Sequence, residues 1–383
     1  MTVSLWNRLE RPEDIRTDTL VIGAGIVGIG CALELQRRSV DYRIIDRLHP
    51  GAGASTRNAG FLMRGAADNY AFACDTLGRE RTRALWAWTE ENLAILRELD
   101  IASLSTYRAM PSCLLAITDD EAAELARSAQ LMREDGFRVD LLESHTDTPW
   151  RHPDARLALI NPDDATINPR QLIDTLAARL TQPILTHTDA FAIDLDHADH
   201  ILIYTSRARI RAQRLLLCTN AWTAQLLPDY AHRIVPNRGQ MLALHAPEDH
   251  PDAPALSFAY YLNRGGEYLR RPDSDTIIIG GCRRHFETEE RTLADATTPA
   301  LQQSLEDFAA ELLAHRFPVK ARWSGPMAFT ADGIPIVEPL PENPNAVVCA
   351  GFTGHGMSLG VRTARAAVNL ALDQTPPPPP PLN

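Results

Sequence analysis

The feature that most constrains this chain is a glycine run at residues 23–28. A short apolar stretch, Leu20 to Ile22, ends in Gly23-Ala24-Gly25-Ile26-Val27-Gly28. A helix-like pattern with apolar Ile26, Ile29, Leu33 and Leu35 follows, and VDYRIID then alternates like a second strand that stops at Asp46. A lone G-x-G-x-x-G says little, but inside strand–turn–helix–strand it marks a dinucleotide-binding unit. Gly23 permits the tight turn, Gly25 lets the backbone approach a pyrophosphate, and Gly28 lets the helix pack on the strand. The helix N-terminus then offers unpaired N–H groups and the positive end of its dipole to the phosphates. Asp46 lies 23 residues beyond Gly23, where an acid hydrogen-bonds the ribose and disfavours a 2′-phosphate, so FAD or NAD is preferred over NADP.

Composition removes other classes. Across 383 residues, 38 Lys+Arg against 49 Asp+Glu leave a net charge of −11, opposite to the basic excess that neutralises nucleic-acid phosphates or docks on anionic lipid. No run of about 18 apolar residues is present, so no membrane span is expected. The opening MTVSLWNRLERPEDIRTD carries charge where a secretory signal is apolar, which points to the cytoplasm. The six cysteines form no C-x-x-C and no zinc spacing with histidine; buried free thiols and no metal site are expected.

Further along, helices are expected at 84–99, at 119–135 with Asp119/Asp120 as N-caps, and at 167–181. Strand-like stretches follow at 184–193, 200–205 and 207–211, and RLLLCTNAW reads as a parallel strand entering a turn. Residues 234–282 are β-type, Pro299 to Ala314 is helical, and AVVCA (346–350) is one more buried strand. It runs into a second glycine-rich junction at Gly351, Gly354 and Gly356 and a closing helix. A nucleotide fold that returns to its sheet after some 300 residues suits a large cofactor touched at both ends, which favours FAD. A helix starting near Met357 would aim its N-terminus at the flavin ring and stabilise the negative charge arriving there. The six prolines at 376–381 suit an extended or disordered end, or a ligand for a proline-reading domain.

Four stretches in order, VIGAGIVGIGCALEL, GASTRNAGF, WSGPMAFTADGIPIV and CAGFTGHGMSLG, with weaker support from RGQMLAL, YLRRPDSDTIIIGG and LCTNAW, resemble the D-amino-acid oxidase-like FAD-dependent oxidoreductases over about residues 17–372. The resemblance implies an α/β fold: a Rossmann-like FAD-binding domain of discontinuous segments (1–85, 151–222 and 322–373) and a smaller β-rich α+β substrate domain (86–150 and 223–321), with a flexible tail at 374–383. It implies FAD cradled by Gly23, Ala24, Gly25, Ile26 and Gly28, with Asp46 where many members have glutamate and Arg47 beside it. Ala54, Ser55, Arg57, Asn58, Ala59 and Gly60 would approach the phosphate–flavin side, and Ala190 the adenine. Thr219, Asn220 and Trp222 would close over the cofactor, and Gly354, His355, Gly356, Met357 and Ser358 would line the ring.

The departures bear on substrate. Glycine-oxidase-like members place a carboxylate-binding arginine where this chain has Met327. Sarcosine-oxidase-like members have a lysine where Ser358 stands and a flavin-linking cysteine where Gly325 stands; a flavin-linking histidine of other members falls near Arg57. FAD is therefore expected to be noncovalent. Catalytic-side candidates are Tyr268 with neighbouring Tyr260 and Tyr261 as an aromatic wall for an amine, or else ordinary core tyrosines. Arg64 is a carboxylate anchor or a surface or phosphate partner, His355 mainly positions the cofactor, and His285 meets oxygen or substrate or lies in a solvated basic turn. The expected activity is oxidation of the C–N bond of a primary or secondary amine or amino acid, with oxygen or another electron acceptor. The alternatives are a flavin-dependent 2-hydroxy-acid dehydrogenase and a non-catalytic dinucleotide-binding interaction protein.

Overall fold

The computed structural model describes residues 13–66, 68–143, 154–197 and 199–373; the proline run and the first twelve residues of the charged opening segment lie outside them. The glycine run sits where the sequence reading places it. Strand Glu13–Ile22 is followed by helix Ile26–Arg37 and strand Tyr42–Ile45. Leu20 and Val21 are completely buried, which explains an apolar run without alternation: both faces of a parallel strand are covered. Glu13–Ile22 pairs in parallel with Tyr42–Ile45 on one side and Ala208–Leu217 on the other; Asn343–Ala350 extends the parallel set beyond Ala208–Leu217. The chain thus returns to its first sheet near its C-terminus.

That return is sealed by two helices. Gly356–Asp373 lies against Ile26–Arg37, and glycines set the spacing: a Cβ on Gly30 would come within 2.9 Å of the Ala364 Cβ, and one on Gly360 within 2.9 Å of the Ile26 side chain. The glycines let the two helices approach closely, and because each helix follows a strand of the parallel set, both N-termini open at the same edge of the sheet.

The second sheet has eight strands, in the order Val319–Phe329, Val235–His245, Thr276–Gly280, Glu267–Asp273, Ala259–Leu262, Ser112–Ala116, Leu157–Asn161 and Asp140–Glu143. Its pairs are antiparallel except Ala259–Leu262 with Ser112–Ala116. Leu157–Asn161, expected with the nucleotide segment 151–222, joins this sheet instead, and Val319–Phe329 crosses the expected border at 321/322. Neither strand differs in composition from those of the first sheet; tertiary pairing alone sorts them.

Helix Asp119–Glu134 corrects a local expectation. Its N-cap is Thr118, whose hydroxyl accepts from the Glu121 N–H while the Glu121 carboxylate accepts from the Thr118 N–H. Asp119 and Asp120 occupy the first turn instead, where their charge suits the dipole. The stretch 184–193 divides into strands Ile184–Leu185 and Ala190–Asp194 on different parts of the first sheet. All six cysteines are free, five of them buried. Among the described residues no helix is long and apolar enough to cross a membrane.

Candidate active site

A cavity of about 710 Å3 lies between the two sheets, within the roughly 300–1,000 Å3 typical of ligand clefts. One end opens at the carboxyl ends of the parallel strands, the usual ligand position in such sheets. Gly23 has φ +102°, and a Cβ there would come within 2.6 Å of the Cys218 carbonyl oxygen; a Cβ on Gly28 would lie 1.8 Å from the Gly23 oxygen. Gly25 is the N-cap of Ile26–Arg37 and supplies no side-chain cap. The Ser55 hydroxyl accepts from the Ile26 N–H at 3.0 Å and sits 2.9 Å from where a Gly25 Cβ would be. Apart from the Ile26 N–H, which Ser55 takes, the first turn opens on a recess into which the glycines project no side chain, which fits a pyrophosphate.

Asp46 closes this end. Its two carboxylate oxygens accept from the Ala24 and Leu48 N–H groups, each at 2.8 Å, so the side chain ties the glycine turn to the second strand while lining the cavity. The neighbouring Arg47 guanidinium stacks over the Trp222 ring at 4.2 Å. Gly53 leaves room for that ring, since a Cβ there would come within 3.3 Å of it. Ala190, Thr219 and Asn220 line the same end. Asn220 has φ +45°, and its side-chain oxygen accepts from the Gly351 N–H at 3.1 Å, locking the two loops together.

In the middle, Ala54, Ser55 and Asn58 form a 3-10 turn and its exit. The Asn58 amide donates to the Ala54 and Ser55 carbonyls and accepts from the Gly60 N–H. Arg57 is held by Asp295 at 2.7 Å. Opposite, Thr353 (φ +44°) and Gly354 (φ +84°) turn the chain into helix Gly356–Asp373. Ser358 accepts from the Met63 N–H at 3.3 Å, joining the helix start to the strand that carries Phe61.

His355 lines the cavity, and its Nδ1 lies 3.1 Å from the Thr353 carbonyl, a contact that assigns the proton to Nδ1 and leaves Nε2 as an acceptor. Burial lowers its pKa from the ordinary 6.5. The unfolded chain therefore takes up a proton near pH 6.5 that the folded chain refuses, so stability falls as pH drops below that value. Melting temperature followed from pH 7.5 to 5 should show a shallower acid slope for His355→Gln than for wild type; identical slopes would mean that the ring titrates freely.

The far end is aromatic. Phe61 meets Tyr261 edge-on at 5.1 Å and Tyr268 at 6.1 Å, and the two tyrosine rings lie 5.7 Å apart. The Tyr268 hydroxyl donates to the Met241 sulfur at 3.3 Å, and Gly280 makes room for its ring: a Cβ would come within 2.4 Å. Burial raises both tyrosine pKa values, so both are neutral phenols. Met327 and Phe329 also line the cavity.

Three of the catalytic-side candidates stand elsewhere. Arg64 is buried, but its guanidinium pairs with Glu90 at 2.6 Å and donates to the Arg138 carbonyl, outside the cavity; it is no carboxylate anchor. Tyr260 points to the opposite face of its strand and packs edge-on against Phe258 in the second sheet's core, because neighbours in a strand face opposite ways. Tyr261 is therefore the wall residue. His285 is exposed and off the cavity, while Arg283, two residues earlier, lines it. Ala24, Gly28 and Gly60 shape the walls without lining them; Gly60 (φ +74°) faces the Ile167 carbonyl, 1.9 Å from a Cβ position.

The family profile described as FAD dependent oxidoreductase (DAO) matches residues 18–370. The chain belongs to that family, and FAD is the family's cofactor. It is 25% identical over 367 residues to glycine oxidase of Geobacillus kaustophilus, covering 93% of each chain. It is also 25% identical over 370 residues to the bifunctional protein ThiO/ThiG of Nostoc sp., covering 93% of this chain and 53% of that one; it spans about half the length of such two-part relatives. Among solved structures it superposes on L-proline dehydrogenase from P. horikoshii with a TM-score of 0.77 at 17% identity, covering 95% of each chain.

Proposed function

We propose that this protein oxidises the C–N bond of a primary or secondary amine or amino acid, using noncovalently held FAD. The observation that carries the reading is the single cavity joining the glycine-lined helix terminus at Gly25 to the aromatic chamber at Phe61, Tyr261 and Tyr268. FAD, when bound, supplies the two-electron acceptor. The substrate's C–H hydrogen leaves with both electrons and the N–H proton passes to solvent; water then converts the imine to a carbonyl compound and an amine or ammonia.

The chain's own residues bind and orient. The first turn of Ile26–Arg37 takes the pyrophosphate, with Asp46 and the Arg47–Trp222 stack at the adenosine end. The N-terminus of Gly356–Asp373 directs its positive end into the middle of the cavity, where negative charge would develop. The tyrosine–phenylalanine wall excludes water and offers ring faces to a cationic amine before it sheds its proton. Noncovalent attachment is supported by Gly325, which stands where some relatives would carry a flavin-linking cysteine, and by Arg57, near which others would carry a histidine.

The test is anaerobic. Amines, amino acids and 2-hydroxy acids are mixed with the FAD-loaded protein and bleaching of the yellow colour is followed, after which oxygen is admitted. Bleaching by amines alone is expected; bleaching by hydroxy acids alone, or a protein that retains no FAD, would overturn the proposal. The rate of recolouring in air then separates an oxidase from a dehydrogenase.

A further inference from the structure

The cavity has several arginines, and all but two are neutralised by acids. Arg57 pairs with Asp295, Arg264 with Glu124 and Arg284 with Glu267, while Arg47 stacks on Trp222 at the adenosine end. Arg283 is different. Among the described residues no carboxylate lies within ion-pair distance of it, and no hydrogen bond engages its guanidinium, which rests over the Phe329 ring at 4.9 Å. It is half-buried and lines the same cavity as Tyr268, Met241 and Met327. Drawing a cation partly out of water without an acidic partner is costly, so a half-buried Arg283 facing the cavity favours an anion there.

The turn that delivers Arg283 is rigidly built. Gly281 (φ +132°) backs onto the Gly266 carbonyl, 2.4 Å from a Cβ position, and Cys282 adopts φ +58°. The buried Glu267 carboxylate accepts from the Cys282 N–H at 3.2 Å and from Arg284 at 3.1 Å. One acid therefore neutralises Arg284 and pins the turn, and Arg283 is left charged. The nearest remaining acids are Glu287 and Glu290, felt only at longer range; Glu290 is itself held by Arg238 at 2.6 Å.

We infer that Arg283 is the anion anchor of the substrate chamber and that the substrate carries a carboxylate, held from the side of Tyr268 and Phe329. This deepens the amine-oxidation reading above and rests on it for the identity of the reacting group. A guanidinium binds a carboxylate in a planar, two-pronged fashion, and the Met327 side of the chamber is then free to take an apolar substituent.

The test uses FAD-loaded protein titrated with propionate and benzoate, which carry a carboxylate and no amine, and with the matched amides propionamide and benzamide. Binding is read by perturbation of the flavin spectrum and by calorimetry. Wild type should bind the acids at least about tenfold more tightly than the amides; Arg283→Gln should weaken the acids about 10- to 100-fold and leave the amides alone. Arg283→Lys should recover part of the loss, and Arg316→Gln, at an exposed arginine off the cavity, should change nothing. Acids no tighter than amides in wild type, or equally tight in a FAD-retaining Arg283→Gln, would overturn the assignment. If Arg283→Gln does not fold, the wild-type comparison of acid with amide still decides. Preference for acids without bleaching by any amine would sink the amine-oxidation reading and spare the anchor; bleaching by carboxylated amines that Arg283→Gln leaves unchanged would do the reverse.

Discussion

Gly28→Ala should purify without FAD and melt about 4 °C lower than wild type. The new methyl would sit 1.8 Å from the Gly23 oxygen and 2.9 Å from its carbonyl carbon. That carbonyl has little room to retreat: the Gly23 N–H donates to the Ile45 oxygen at 2.8 Å, and the residue sits so close to the Cys218 carbonyl that a Cβ on it would lie 2.6 Å from that oxygen. The helix must therefore swing away from the strand, at a cost of about 3 kcal/mol, the upper end of ordinary overpacking, which a chain of 383 residues shows as a little over about 1 °C per kcal/mol. Displacing the helix also moves its first turn off the phosphate position. Gly25→Ala supplies the contrast: its methyl meets only the Ser55 hydroxyl, which can rotate, so the fold should persist while FAD binding weakens by about tenfold or more. Full FAD content and an unchanged melting temperature in Gly28→Ala would show that the glycine turn does not set the cofactor site.

This contrast also marks what was legible in the sequence. The glycine requirements at 23, 25 and 28 are backbone requirements, local in the chain, and they can be read from spacing together with the apolar run before them. The convergence of 23–28 with 354–358 was legible too, because a second strand-to-helix junction needs a sheet to return to. Side-chain direction was not. Tyr260 and Tyr261 differ by one position in a strand, and which of them faces the cavity depends on which face of the sheet is inward. Arg64 follows a small-residue loop just as an anion anchor would, yet Glu90, from a helix elsewhere in the chain, takes it. In Arg283-Arg284-His285 the sequence shows three basic residues, and only the fold, by bringing up Glu267, decides which charge survives. The grouping of His250, Asp252 and His315, whose ligand atoms lie within 4.8 Å of one another, has no local spacing that could reveal it.

Glu290→Ala should destabilise the protein by about 3–5 kcal/mol, seen as a lower urea midpoint, while FAD stays bound. Arg238 Nε and Nη2 donate to the two Glu290 oxygens at 2.7 and 2.6 Å, and Gln240 adds a third hydrogen bond at 2.9 Å. Their side chains are 5% and 0% exposed. Removing one partner strands a buried charge, whereas replacing both with apolar residues of similar size is commonly near neutral. Arg238→Met combined with Glu290→Leu should therefore recover most of the loss; a single variant costing under about 1 kcal/mol would mean that water reaches the pair. The pair fastens the end of the segment that carries Arg283 to strand Val235–His245, whose Gly239 and Met241 line the cavity. Glu290→Ala should consequently loosen the binding of carboxylates to the chamber more than that of neutral amides, because the strap it releases begins at the anion anchor and not at the cofactor.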